Sequence, residues 1–432
     1  MAQWGDVYVA MEETLLAQPA ADQWPPTRAE GQRRLTAFVS RAGRAYASAR
    51  NYDRGPADRT NVSVLAPYIR CRLVTEEEVL RAVLARHVVS TAEKFVQEVF
   101  WRTYWKGWLE SRPAVWHDYR RALDACIAGL ANDADLARMH DDALSGSTGI
   151  DAFDAWSREL AATGYLHNHA RMWFASIWIF TLRLPWELGA DFFMRHLLCG
   201  DQASNTLSWR WVAGLQTRGK TYLALRDNIR RYTDGRFDPG SRLASRAEAL
   251  ASRGYAASAL PEVPLRVHDP EPALLVLHDD DAGVDTLGLE ALDIRASVAL
   301  CGAHGRSPHG VAESVGAFAR GALRDALGRA PHGDASAIFE AADLEASARA
   351  LAERAHDAGV HLAIAPFAPV GPVRDALGAL REPLHARGVR LVQLGRRYDA
   401  VAWPYATRGF FALRGRIPAI LRELSVVTSH AG

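Results

Sequence analysis

Lysine is almost absent from this chain of 432 residues: of 51 basic side chains only Lys94, Lys106 and Lys220 are lysines. With the high alanine content, an arginine excess of this kind is expected of a GC-rich bacterial genome and carries no chemistry by itself. Cysteine is scarce too. Cys71, Cys126, Cys199 and Cys301 lie far apart and form no C-x-x-C pair. That spacing argues against a zinc site or an iron–sulfur cluster and for reduced cytosolic thiols. No basic stretch followed by an apolar one opens the chain, and no apolar run reaches the length of a membrane span. A cytoplasmic protein with no metal and no membrane partner is expected. Charge of one sign is also missing, because the net charge is +1. Any nucleic-acid footprint must therefore be a local patch. Residues 201–250 come closest, with nine basic and five acidic side chains.

Tryptophan is missing from most of the second half. Twelve of the thirteen lie before residue 212, and the last is Trp403. The patterning changes along with the aromatic content. Residues 1–30, with "QWPPT", read as an irregular arm. From 31 to 235 the apolar residues recur at three- and four-residue spacing, as in "EEEVLRAVLARHVV", which predicts helices. Residues 236–268 carry Gly, Pro and Ser clusters and read as a linker with one short helix. From 269 to 432 short apolar runs ("PALLVLHDD", "ASVALCGA", "VHLAIAPFA", "VRLVQLGRR") alternate with amphipathic stretches, which predicts a parallel sheet flanked by helices. The fold class is thus multidomain, all-helical and then α/β. The glycines of the second half form neither G-x-G-x-x-G nor a P-loop.

Three stretches of the helical half carry polar groups in apolar surroundings. In "EKFVQEVFWRTYW", Glu98 and Arg102 share a helix face with Trp101 and Trp105; an aromatic core helix with one ion pair on its rim fits equally well. In "HLLCGDQASNTLSWRW", Gly200-Asp201 reads as a helix end followed by a new N-cap, and Asp201 can accept from a ligand or from its own helix. In "NVSVLAPYIRCRLVTEEEV", Ser63 and nearby amides suit a phosphate, whereas Thr75 reads as an ordinary N-cap. A fourth stretch, "YLHNHARMWF", places Asn168 and Arg171 on a helix that reads as mostly buried. An amide and a guanidinium are costly there unless paired.

Taken in order, "AYASARNY", "NVSVLAPYIRCRLVTEEEV", "EKFVQEVFWRTYWKGWL", "GYLHNHARM", "LPWELGADFFMRHLLCGDQASN" and "WRWVAG" make residues 31 to about 225 resemble the FAD-binding helical domain of the DNA photolyase and cryptochrome family. The resemblance implies a helical domain holding FAD. Tyr46, the turn Val62, Ser63, Val64, Leu65 and Ala66, then Phe95, Arg102, Asn168, Arg171, Cys199, Gly200, Asp201 and Asn205 would line the cofactor. Glu98, Trp101, Met172 and Trp211 would meet a flipped pyrimidine dimer, with Asn168 and Asn205 beside the flavin. DNA would touch Arg50, Glu98, Trp101, Arg102, Trp105 and His169. Trp209 and Trp186 match the first two members of an electron-transfer relay.

Departures from the pattern are specific. Cys199 stands where the family has an aspartate paired with its arginine, which leaves Arg171 without its usual counter-ion. Val62 replaces a threonine at the diphosphate turn. No third relay tryptophan occupies its position, and Trp116, Trp173 and Trp178 are the alternative exits. The α/β segment follows the helical one, an order that fits a permuted antenna-like domain, although nothing in it shows a pigment site. The resemblance implies light-driven repair of pyrimidine dimers in DNA by a deoxyribodipyrimidine photo-lyase type of enzyme. The alternatives are a cryptochrome-like blue-light receptor with a signalling partner, and a light-independent flavoenzyme.

Overall fold

A computed structural model describes residues 23–251, 253–267 and 271–427. The expected N-terminal arm falls mostly outside these residues. Helices come first: α1 (Arg28–Val39), α2 (Arg44–Ala49), α3 (Ala66–Arg70), α4 (Glu76–Leu84), α5 (Val89–Glu110), α6 (Ala114–Leu130), α7 (Ala134–Ser145), α8 (Asp151–Thr163), α9 (Asn168–Ser176), α10 (Trp186–His196), α11 (Gln202–Val212) and α12 (Arg226–Tyr232). The sheet segment follows with β1 (Ala273–His278), β2 (Ile294–Cys301), α13 (Glu313–Arg329), β3 (Gly333–Glu340), α14 (Leu344–Asp357), β4 (Leu362–Pro366), α15 (Pro372–His385), β5 (Arg390–Leu394), α16 (Arg397–Ala402), α17 (Phe410–Arg414) and α18 (Ile417–Glu423). The multidomain α and α/β class is the observed one. The linker helix is not: among the described residues of 236–268 there is none. The Pro, Gly and Ser content of that stretch outweighs its short apolar pattern.

Two compact units divide the chain, and the cut does not fall at one linker. The first unit holds Trp24 with residues 45–64 and 114–256; the second holds the described parts of residues 25–44, 65–113 and 257–432. Helices α1, α3, α4 and α5 therefore belong with the sheet.

The sheet is parallel throughout, in the order β3-β2-β1-β4-β5. Its central strand β1 is buried on both faces. Leu274, Val276, Val298, Leu300, Ala363 and Ala365 form one core with Leu351 of α14 and Leu377 and Leu380 of α15. Truncating such a leucine typically costs about 2–5 kcal/mol.

The second unit closes around β1 through buried charge. Just past β1 come Asp279, Asp280 and Asp281. Asp279 accepts from Arg70 (2.9 Å), from Arg306 (3.0 Å) and from the Gly302 amide (2.6 Å). Asp280 pairs with Arg70 at 2.6 Å. Asp281 pairs with Arg72 at 3.0 Å and with Arg396 at 2.6 Å, and Arg72 reaches Asp399 at 2.6 Å. Glu76 extends the network to Arg102 at 3.1 Å. Burial alone would raise the Asp279 carboxyl. The guanidiniums of Arg70 and Arg306 and the Gly302 amide outweigh burial and bring it down to about 2.

Asp279 ionises more readily folded than unfolded, so its contribution is fully present above about pH 4 and is lost as pH falls through the folded value. Asp279→Asn should cost roughly 3–5 kcal/mol, because two guanidiniums lose their shared acceptor. Chemical denaturation at pH 7 measures the loss, and the variant should show a shallower stability decline between pH 4 and 2. A change under 1 kcal/mol would mean that the ion pairs around Asp279 do not hold this unit together.

Candidate functional site

Most of the cofactor and relay residues expected from sequence lie in the first unit. Asp201 is the N-cap of α11, accepting from the Ser204 amide at 2.8 Å, so the polar turn after Gly200 serves its own helix first. Asn205, one turn on, donates to the Ala190 carbonyl of α10 at 2.8 Å. That bond fixes its amide and ties the two helices together. Val64 has φ 48°, the left-handed region that a β-branched residue rarely enters. Such strain persists only where surrounding structure imposes it. Asn61 does so in part, by donating to the carbonyls of Ala49 and Tyr52 at 2.8 Å each. Ser63 is half-buried beside this strained residue. Tyr46 is buried and Arg50 is half-buried, donating to Ala47.

Helix α9 begins at Asn168, with His167 as its N-cap. The mostly buried helix expected here is observed, with Trp173 to Ser176 buried in succession and the exposed and half-buried residues gathered in its first turns. Ala170, Trp173 and Phe174 face inward, whereas Asn168 is exposed and Arg171 and Met172 are half-buried. Arg171 donates to the Leu166 carbonyl at 2.8 Å and to Cys199 Sγ at 3.3 Å. The thiol thus sits where a counter-ion would, and it is only a weak acceptor. His169 has both ring nitrogens engaged, with the Asn51 carbonyl (2.9 Å) and the Tyr222 hydroxyl (3.2 Å), and stacks on Trp173 at 4.0 Å. A DNA phosphate would have to displace one of these partners.

Ring contacts narrow the choice of relay exit. Trp209 meets Trp178 edge-on, with centroids 6.2 Å apart. Gly189 permits this approach, since a Cβ there would stand 2.4 Å from Trp209 and 2.8 Å from Trp178. Trp186 packs tilted on Tyr119 at 5.5 Å, and Tyr119 packs tilted on Trp116 at 5.4 Å. The Tyr119 hydroxyl is buried without a hydrogen-bond partner among the described residues, and burial pushes it well above the usual phenol range. Trp211 stacks on Tyr222 at 5.8 Å.

Leu65, Ala66, Phe95, Glu98, Trp101, Arg102 and Trp105 belong to the second unit. Phe95 packs on Phe38 at 4.9 Å. Arg102 pairs with Glu76 of α4, a partner the sequence reading did not supply. Trp101 lies flat against Phe410, with centroids 3.6 Å apart and planes 8° from parallel, and Trp105 is buried behind it. A planar ligand meeting Trp101 must use what Phe410 leaves free or displace it. The buried cluster of Arg70, Arg72 and Arg306 was not foreseen either. The C-terminal ends of strands at a reversal of strand order are where open α/β sheets usually bind ligands. Here those guanidiniums fill the end of β1.

Helix α11 supplies an independent check on a cofactor. Gln202 Nε2, Ser204 Oγ, Thr206 Oγ1 and Trp209 Nε1 are buried with no hydrogen-bond partner among the described residues. Native proteins leave few such groups unsatisfied. Gln202, Thr206 and Trp209 share one face of the helix, with Ser204 on the other, so unpaired donors and a hydroxyl on that face leave room for a polar ligand.

The comparisons with known proteins agree with that chemistry. A family profile described as the FAD binding domain of DNA photolyase matches residues 95–241. A deoxyribodipyrimidine photo-lyase of Streptomyces griseus is 38% identical over 156 residues, which cover 36% of this chain and 32% of that protein. One from Agrobacterium fabrum is 28% identical over 214 residues, covering 46% and 40%. The crystal structure of a bacterial class III photolyase from Agrobacterium tumefaciens aligns at TM-score 0.40 and 26% identity, over 49% of this chain and 46% of that one. The chain thus spans about a third to two fifths of the length of these curated relatives. Its matched segment is a flavin-binding domain, and FAD is the cofactor of that domain. Through this segment the chain is related to the photolyase and cryptochrome family. Among the described residues no helix is long and apolar enough to cross a membrane.

A buried histidine, His167, and a half-buried one, His196, give this unit a pH signature. Burial, with the positive charges of His169 and Arg171, holds His167 down to about 4 against the pull of Asp53; burial and Arg195 do the same for His196. Both are charged less readily folded than unfolded. Their contribution is present above about pH 6.5 and is lost as pH falls towards 4. Denaturation midpoints should therefore drop between pH 7 and pH 4.5, and His167→Gln with His196→Gln should flatten that slope. An unchanged slope in the double variant would place the sensitivity elsewhere.

Proposed function

We propose that this chain is a FAD-dependent, photolyase-like protein of the cytoplasm that repairs pyrimidine dimers in DNA by light-driven electron transfer. The observation that carries the reading is the set of unpaired buried polar atoms on α11, within the segment matched as a FAD-binding domain. Ser63 and the strained turn at Val64 would hold the diphosphate, with Tyr46, Phe95 and Arg102 along the cofactor. Asn205, fixed by Ala190, and Asn168 with Arg171 would orient the ring system. Reduced FAD, when bound and excited, supplies the electron. Glu98, in its protonated acid form, would donate a hydrogen bond to the lesion and offset its developing negative charge, while Met172, Trp101 and Trp211 pack on it. Arg50 would meet phosphate. Trp209, with Trp178 or Trp186, would connect the flavin to an outside donor. Residues 269–432 would take the role of a permuted antenna-like domain.

A cryptochrome-like receptor acting on a signalling partner is the second reading. What favours it is the Phe410 ring already seated on Trp101.

The deciding experiment incubates FAD-loaded protein with a dimer-containing oligonucleotide under blue light and in darkness, with dimer loss followed by chromatography. Loss in light alone is expected. Glu98→Ala should slow it roughly 10- to 100-fold, the value of one hydrogen bond to a charged group, with flavin content unchanged. Light-dependent flavin reduction without dimer loss would support the receptor, and a folded protein that takes up no FAD would sink both readings.

Cys199→Asp gives a second test. A carboxylate would take up charge that Arg171 now directs past a neutral thiol. The first reduction potential of the bound flavin should then fall by roughly 60 mV, a tenfold change in a one-electron equilibrium. Spectroelectrochemistry reads the shift, and an unchanged potential would mean that the Arg171–Cys199 contact does not tune the cofactor.

A further inference from the structure

The C-terminal helices of the second unit carry a surface that the flavin reading does not use. From Ala400 to Arg422 the chain holds four arginines, Arg408, Arg414, Arg416 and Arg422, and no acidic residue. In a protein of net charge +1 that is a marked local bias. The same stretch has two adjacent phenylalanines at the start of α17. Phe410 turns inward onto Trp101, while Phe411 is 78% exposed, the most exposed large apolar side chain among the described residues. Arg408, Arg414 and Arg416 are exposed around it. Tyr405 is exposed as well, with the Arg416 guanidinium 5.7 Å from its ring centre. Nearby, Arg112 lies over Trp108 at 4.4 Å and donates to the Thr407 carbonyl at 3.0 Å. One acidic group enters the patch from outside, Glu93, which pairs with Arg414 at 3.0 Å on the surface.

We propose that residues 404–416 form a docking surface for single-stranded nucleic acid, in which Phe411 stacks on a base and Arg408, Arg414 and Arg416 face the phosphates. Single strands are held without sequence preference by aromatic platforms set in basic surface, because every base has a stacking face and every linkage a charge. A protein partner would leave the density of arginine unexplained. A bare anionic surface would leave Phe411 without a role.

The turn that carries Phe411 is anchored by its neighbours. Phe410 is clamped on Trp101, the Phe410 and Phe411 rings stand 6.3 Å apart, and Leu413 and Ile417 bury the next turn. An exposed ring on a turn anchored this way loses little freedom when a base lands on it. Arg414 gives up its bond to Glu93 at small cost, because an exposed pair is worth little.

Fluorescence polarisation of a labelled, undamaged oligothymidylate against the full chain, in darkness, tests the assignment apart from the repair reading. Binding is expected, weakening steeply with salt. Phe411→Ala should weaken it roughly tenfold, the stacking of one base. Arg408→Glu with Arg416→Glu should lower the slope of affinity against salt by about two phosphate contacts. All three side chains are exposed, so these variants should fold like the parent, which circular dichroism checks. Both should still discriminate damaged from intact duplex if the flavin segment does so. Undiminished oligonucleotide binding by both variants would overturn the proposal. So would binding of vesicles containing phosphatidylglycerol in preference to the oligonucleotide, which would make the patch a lipid contact. Oligothymidylate binding by a parent protein that shows no light-dependent dimer loss would refute the repair reading alone.

Discussion

The arginines of one short loop-helix segment, Arg70 and Arg72, hold the three aspartates that follow β1, and the second unit is organised around that contact. Asp279 and Asp281 are each 1% exposed at the side chain, and Arg70 is 2% exposed. Charges this deep are tolerated only with every partner present, since desolvation costs several kcal/mol per ion. The network is dense for that reason. Asp279 and Asp281 each take two or more donors, Asp280 takes Arg70 on one oxygen while its Oδ2 has no partner among the described residues, and Arg72 is shared between Asp281, Asp399 and Glu76. Because the sheet depends on residues 65–113 for its counter-charges, α3 to α5 are part of the sheet unit even though the chain reads as helical there.

That dependence explains where reading the sequence succeeds and fails for the fold. Four of the five strands announce themselves as apolar runs bounded by turns: β1, β2 and β4 because they are largely buried, and the edge strand β5 because its sequence "RLVQL" stays largely apolar. The missed strand, β3, reads "GDASAIFE" and lies at the sheet edge with several residues exposed, so it carries no such signal. The helix–sheet division is legible from periodicity, whereas the unit boundary is not. What sets it is pairing between residues 209 positions apart, and a single sequence shows two unexplained charge clusters without showing that they belong together.

The candidate site divides along a similar line. Local signals survive: Thr75 caps α4 with Glu78 closing the box, and Asp201 caps α11. These are contacts within four residues, set by the needs of a helix start. Arg171 and Cys199 are brought together 28 positions apart by the turn before α11. Their meeting was suggested by resemblance and could not follow from spacing. The reach of Arg102 to Glu76 and the stacking of Trp101 on Phe410 had no signal at all, because each depends on how α5 is embedded in its unit.

Two aromatic contacts show what such embedding does. Against Trp209, the partner is a glycine: Gly189 removes one methyl so that Trp178 can approach edge-on, and the contact is local to the helical unit. Against Trp101, the partner is another ring, supplied from the far end of the chain, and Gly107 in the same helix yields the space that Trp403 and Ala406 fill. A Cβ at Gly107 would come within 2.7 Å of Ala406 and 3.0 Å of Trp403. Helix α5 is thus shaped to receive the C-terminal segment along its length, with Thr103 meeting the Tyr398 hydroxyl at 2.8 Å and Glu110 meeting Arg374 at 2.6 Å. A helix that carries candidate ligand contacts is therefore bound on one side to an element outside the matched flavin domain. Trp101 is thus held by Phe410 from outside the matched segment, whereas Arg102 is held by Glu76 of α4, so the two candidate contacts of α5 rest on different supports.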